Sequence, residues 1–215
     1  MALATNALTT ISTVETELSL TAAAQDVELT RYIDTASDQI ERYVNRKLYY
    51  GSAIVEKVAG SGDAFLWISR TPLSSVTSVV WLGDSSTVTG STYEIWEADQ
   101  GSIYRSAGWN DTKISATATD YTRYQVTYVG GWITPQQDAD DGALTRDLPW
   151  DLETACVDLV TAMWRMKGTD RTLRGEAIMN TRVDYDFVTR RQGIPESIQA
   201  ILDTYKRMDR LEMVG

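Results

Sequence analysis

The 215-residue sequence contains no histidine and a single cysteine, Cys156. Without an imidazole there is no Ser-His-Asp triad, no histidine acid or base and no ordinary zinc site. Carboxylate chemistry remains possible. One cysteine excludes an intrachain disulfide, which fits a reducing compartment or indifference to redox. Bases are also short, with 20 Lys and Arg against 30 Asp and Glu and a net charge of −10. A protein that grips duplex DNA through its phosphates needs the opposite balance. No apolar run approaches the ~20 residues that span a bilayer. The start, "MALATNALTTIS", lacks the basic residues and apolar block of a signal peptide. The expectation is a soluble protein, made in the cytoplasm, with no membrane partner.

Apolar residues make up 43% of the chain, enough to bury a core. Residues 21–48 read as a helix, because Leu29, Tyr32, Ile33, Ala36, Ile40, Tyr43, Val44 and Leu48 recur at steps of three and four. Leu8, Ile11 and Val14 before it indicate one short helical turn. From Gly51 to about Asp120 the period becomes two. Short β-branched and aromatic runs such as "AIVEKVAG", "DAFLWISR", "SSVTSVVWL" and "STYEIWEA" are separated by glycine, proline and aspartate turns, and "TRYQVTYVG" closes the series. Five of the seven tryptophans lie in this block and are read as core and interface packing residues. Residues 134–147 are polar and acidic and read as a loop. A second helix follows at "LPWDLETACVDLVTAMWRMK", with Pro149, Asp151 and Glu153 at its start and Cys156 inside its apolar stripe. The last helix is "IPESIQAILDTYKRMDRLEM". The fold class is therefore α+β. A small helical bundle, from an N-terminal helix and two C-terminal helices (1–52 and 146–215), carries an inserted antiparallel β domain, sandwich or barrel, at 53–145.

The motifs that could carry chemistry do not complete one. "QVTYVGGWITP" has two glycines after a strand, but no lysine of a phosphate loop and no third glycine opening a helix, so Gly130-Gly131 reads as a strand exit with Trp132 turned back onto the core. Asp138, Asp140 and Asp141 lack the spacing of a calcium loop. Glu94, Glu97, Asp99, Asp184 and Asp186 offer carboxylates with no separation set by sequence. Cys156 reads as a small core residue. No catalytic, metal or cofactor residue is assigned. Residues 168–193 have no clean period and carry Arg171, Arg174, Arg182, Arg190 and Arg191. They form either a solvated connector or an arm that reaches a neighbouring subunit.

Four stretches in order carry a resemblance. They are "ASDQIERYVNRKL" (36–48), "PLSSVTSVVWL" (72–82), "YQVTYVGGW" (124–132) followed by "LPWDLETACVDLV", and "GIPESIQAILDTYKRM" (193–208). With these the chain resembles the head–tail connector (adaptor) proteins of tailed bacteriophages. It departs from their minimal members in the size of its β-block. The resemblance implies a structural virion protein with no enzyme activity and no cofactor. It would form a ring, twelvefold in such proteins, beneath the portal, made in the host bacterial cytoplasm and located at the head–tail interface. The ring would prolong the DNA channel and dock the next neck or tail component, with DNA passing without specific binding. Net charge is −3 over 1–52, −6 over 53–145 and −1 over 146–215, so the acid excess sits in the β-block. An acidic lumen would let DNA slide. The portal contact is expected at the C-terminus, where Tyr205, Met208, Leu211, Met213 and Val214 alternate with Arg207 and Arg210. Adaptable methionines suit a surface repeated around a ring. Two other readings stay open at this stage: a β-rich carbohydrate- or protein-binding module, and a carboxylate-dependent hydrolase.

Overall fold

The computed structural model describes residues 2–20, 25–110, 122–167, 175–178, 181–184 and 193–206. They belong to two compact units, one from Met1–Asn45 with Ile133–Gly215, the other Arg46–Trp132.

In the first unit, helix α1 (Ile11–Glu17) runs two turns where one was expected. Thr10 caps it by accepting from the Thr13 amide. Helix α2 spans Asp26–Val44, within the expected 21–48 and ending before Leu48, the last residue of its apolar pattern. It stops at Asn45, whose left-handed φ of 55° asparagine tolerates better than most residues. Its stripe of Leu29, Ile33, Ala36, Ile40 and Val44 is fully buried. Helix α3 (Pro135–Asp140) replaces the expected acidic loop. It has no apolar stripe to betray it. Its signal is local: Thr134 and Gln137 form a reciprocal capping box around Pro135 in the first turn. Helix α4 (Trp150–Arg165) buries Leu152, Ala155, Cys156, Leu159 and Val160, and packs on α1 and α2. Each such apolar side chain contributes roughly 1.5–3 kcal/mol for the larger residues. Strands β8 (Gly175–Ile178) and β9 (Thr181–Asp184) form an antiparallel hairpin within the stretch that shows no period in sequence. Helix α5 (Glu196–Leu202) ends in a 3₁₀ turn, Asp203–Tyr205.

The second unit is all β. Strands β1 (Gly51–Ala59), β3 (Leu73–Trp81), β4 (Ser86–Thr87) and β7 (Thr122–Gly130) make a four-stranded sheet in the order β1-β7-β3-β4. Strands β2 (Phe65–Trp67), β5 (Glu94–Glu97) and β6 (Ser102–Tyr104) make a three-stranded one, β2-β6-β5. Both sheets are antiparallel and open, and neither closes into a barrel. Leu66 and Ile103 from the smaller sheet share one core with Val79, Val126 and Tyr128 from the larger. Trp109 is the largest side chain in it. Its ring meets Tyr124 edge-on at 5.1 Å and its indole N–H donates to the Ala64 and Ile103 carbonyls, so a polar group goes inside without losing its partner.

Candidate functional site

The double glycine at the end of β7 is explained by backbone crowding. Gly131 has φ of +90°, and a Cβ there would lie 2.2 Å from the Tyr49 carbonyl oxygen. A Cβ on Gly130 would lie 2.9 Å from that of Pro72. The approach lets the Trp132 amide donate to the Leu48 carbonyl while the Trp132 carbonyl accepts from the Tyr50 amide, both at 2.7 Å. Space that a phosphate would need is filled by chain. The Trp132 ring lies under the Arg46 guanidinium, 4.9 Å away.

Among the described residues, the buried groups capable of chemistry are held in structural contacts. Cys156 is fully buried, and desolvation pushes its thiol up to about 12, the 3.8 Å contact with Ser37 offsetting part of this. A thiol so far from ionising is no nucleophile. Glu153 is buried but paired, accepting from Arg146 at 2.7 Å and from the Thr9 hydroxyl at 3.1 Å. Tyr128 donates to Glu56 at 2.7 Å, and burial, then that carboxylate, pushes its hydroxyl well above the usual range. Glu94, Glu97, Asp99, Asp140 and Asp141 are exposed. Among the described residues no group of carboxylates or cysteine is arranged to hold a metal. Asp184 lies in β9, and Asp186 falls outside the described residues.

What the molecule presents instead is aromatic surface, in two places. The first is at the start of α4, where Trp150 is 74% exposed. The Arg146 guanidinium stacks 3.4 Å from its ring centroid and is held from behind by Glu153. Next to it, the Tyr205 hydroxyl bonds both Asp151 carboxylate oxygens at 2.8 Å. The structure therefore ties Tyr205, an expected portal residue, to Asp151, the residue that follows the exposed Trp150. The other expected portal residues (Arg207, Met208, Arg210, Leu211, Met213 and Val214) lie outside the described residues, as do Arg171, Arg174, Arg190 and Arg191. Arg182 is in β9.

The second place is the outer face of the three-stranded sheet. Phe65 lies opposite Tyr104 in register, and Tyr104 opposite Glu94. A β-bulge between Ile95 and Glu97 makes Trp96 the extra residue, and its ring packs 5.5 Å from Tyr104 and 6.0 Å from Phe65 while staying 58% exposed. Bulges re-aim side chains in this way. Trp67 flanks Phe65 at 6.3 Å. Core and interface packing is the expectation for the tryptophans of the β-block; Trp109 lies in the core, and Trp96 is exposed. Signals for both exposed rings were available. Trp150 lies off the stripe begun by Leu152, and "EIWE" sets a tryptophan between two glutamates on an edge strand.

Among the described residues the scaffold is ordinary core packing, with two aromatic surfaces turned outward at Trp150 and Trp96. The chain belongs to the head completion protein family, which it matches over residues 7–208. It is a structural head–tail connector protein and not an enzyme. No curated protein matches it. Among solved structures it is similar to a chain in the neck of the native GTA particle computed with C12 symmetry, with 14% identity, a TM-score of 0.56, and 97% of this chain and 93% of that one covered. It is also similar to a chain in the neck of the empty GTA particle computed with C6 symmetry, with 16% identity, a TM-score of 0.57, and 97% and 94% covered. A chain in the virion of the native gene transfer agent particle matches with the same figures. These likenesses establish a shared fold along almost the whole length, β-block included.

Proposed function

We propose that this chain is a neck subunit of a phage or phage-like particle. Copies assemble into a ring, twelvefold in number, that sits beneath the portal, prolongs the DNA channel and docks the next neck or tail component. The helical unit grips the portal and the β domain faces neighbours and tail. The C-terminal residues Tyr205, Arg207, Met208, Arg210, Leu211, Met213 and Val214 form the grip, with Trp150 as its anchor. Arg171, Arg174, Arg182, Arg190 and Arg191 reach an adjacent subunit. The acid excess of the β-block repels the DNA backbone, so DNA passes without a specific site. The protein is made in the host bacterial cytoplasm and resides in the virion.

The observation that carries this reading is the exposed Trp150–Arg146 stack beside Asp151, where Tyr205 brings in the C-terminal segment. Tryptophan, tyrosine and arginine together are the commonest anchors of protein interfaces. The test removes residues 209–215 in one variant and makes Trp150→Ala in another. Both proteins are expected to stay folded with nearly unchanged melting, and both to stop co-purifying with portal-bearing heads. Normal head binding by the folded truncation rules out the C-terminal grip.

A further inference from the structure

We infer that the outer face of β2, β5 and β6 is the acceptor for an arginine-bearing segment, residues 171–191, of a second copy of this chain. The inference rests on the ring reading above and gives the ring its lateral joint. Phe65, Trp67, Trp96 and Tyr104 pack against one another at 5.4–6.3 Å with tilted and edge-on rings, leaving Trp96 standing out from the sheet. Glu94 and Glu97 border them on the edge strand, both exposed. Among the described residues neither glutamate has an ion pair, and no cation lies over any of the four rings. Elsewhere the chain pairs its rings with guanidinium groups: Trp150 with Arg146 at 3.4 Å, Tyr49 with Arg70 at 4.0 Å, Trp132 with Arg46 at 4.9 Å. This cluster is the aromatic surface that lacks such a partner among the described residues.

Its chemistry selects arginine. The guanidinium plane stacks on an aromatic face, while its edge donates in a fork to a carboxylate. Aromatic faces with two flanking carboxylates receive both parts of that group. Charge complementarity names the occupant, since five arginines fall within residues 171–191. A closed ring needs a heterologous joint, in which each copy offers two different surfaces. An aromatic–acidic face and an arginine segment on the same chain are such a pair.

The test places a photoreactive amino acid at position 96 in the full-length chain. Equal amounts of isotopically light and heavy copies are mixed and assembled, then irradiated and read by mass spectrometry. Mixed-isotope adducts from position 96 to peptides within 168–193 are expected. Adducts only within one copy, to another part of the chain, to a different neck protein, or none at all, overturn the inference. The mass of the assembled complex is read on the same sample. A ring without the adduct discards this joint and leaves the ring reading standing; absence of both discards both. Glu94→Lys with Glu97→Lys, on exposed positions that leave the core intact, is expected to weaken self-association by at least about tenfold. Adding Arg190→Glu and Arg191→Glu is expected to recover part of that loss. Unchanged association of the glutamate variant counts against the proposal.

Discussion

The ionisable side chains that are hidden set how this protein responds to alkali. Cys156 holds its proton to about 12, chiefly through burial. Tyr43, much more open to water, is also pushed up to about 12 by desolvation and its 2.7 Å bond to Asp203, and solvent screening makes its share of the stability small. Tyr128 is raised as well, by burial and then by Glu56. In the unfolded chain these groups ionise near their ordinary values, roughly 8.5 for a thiol and 10 for a tyrosine. Between the unfolded and folded values the native state keeps protons that the unfolded state has released, so stability falls as pH rises. The stabilisation is fully present below about pH 8.5 and is expected to be lost progressively toward pH 12. Urea unfolding at stepped pH checks this. Cys156→Ala should flatten the first part of the fall, and an unaltered slope in that variant would remove the thiol from the account. Native Cys156 should also resist alkylation until the protein unfolds.

At the level of elements, the start of α4 depends on a pair drawn from the loop before it. Arg146 and Glu153 have side chains only 14% and 7% exposed and meet at 2.7 Å. Thr9, from the segment leading into α1, donates to the other Glu153 oxygen. Arg146→Met leaves a buried carboxylate with one hydroxyl for company. The expected cost is about 3–5 kcal/mol, measured by denaturant titration. Replacing Glu153 by Met as well should recover most of it, because burial of a lone charge and not loss of the pair is the penalty. A loss below about 1 kcal/mol for the single variant would place this pair with ordinary surface ion pairs. The same variant frees the Trp150 ring from its stack, so the proposed grip on the portal should weaken along with stability.

For the whole molecule, the charge balance decides its relation to DNA. With a net charge of −10 and acids concentrated between residues 53 and 145, little counterion release is available to drive association with duplex. No retardation of duplex DNA is expected at low salt, where electrostatic binding would be strongest, and the result should be the same at high salt. Salt-sensitive binding at low ionic strength would contradict the proposed channel wall that lets DNA pass.

The amino-acid sequence by itself determined the α+β class, the helical faces on α2 and α4, the place of Cys156 in the core and the exclusion of imidazole and disulfide chemistry. Each of these rests on local period or on a residue type that is absent, and needs no distant contact. Helix α3 was legible too, in Thr134-Pro135 and Gln137, but its signal is a cap and not a stripe. For the exposed rings the sequence held only local hints, Trp150 off its helix stripe and Trp96 among glutamates, and the tertiary structure decided which faces lie outward. A period of two says that a strand has two faces and leaves open which face is covered. That choice follows from non-local pairing: Ile103 and Leu66 turn inward together, and the bulge at Trp96 throws its ring to the other side. The two glycines ending β7 belong with this second group, because only the return of Leu48, Tyr49 and Pro72 to their side leaves no room for a Cβ.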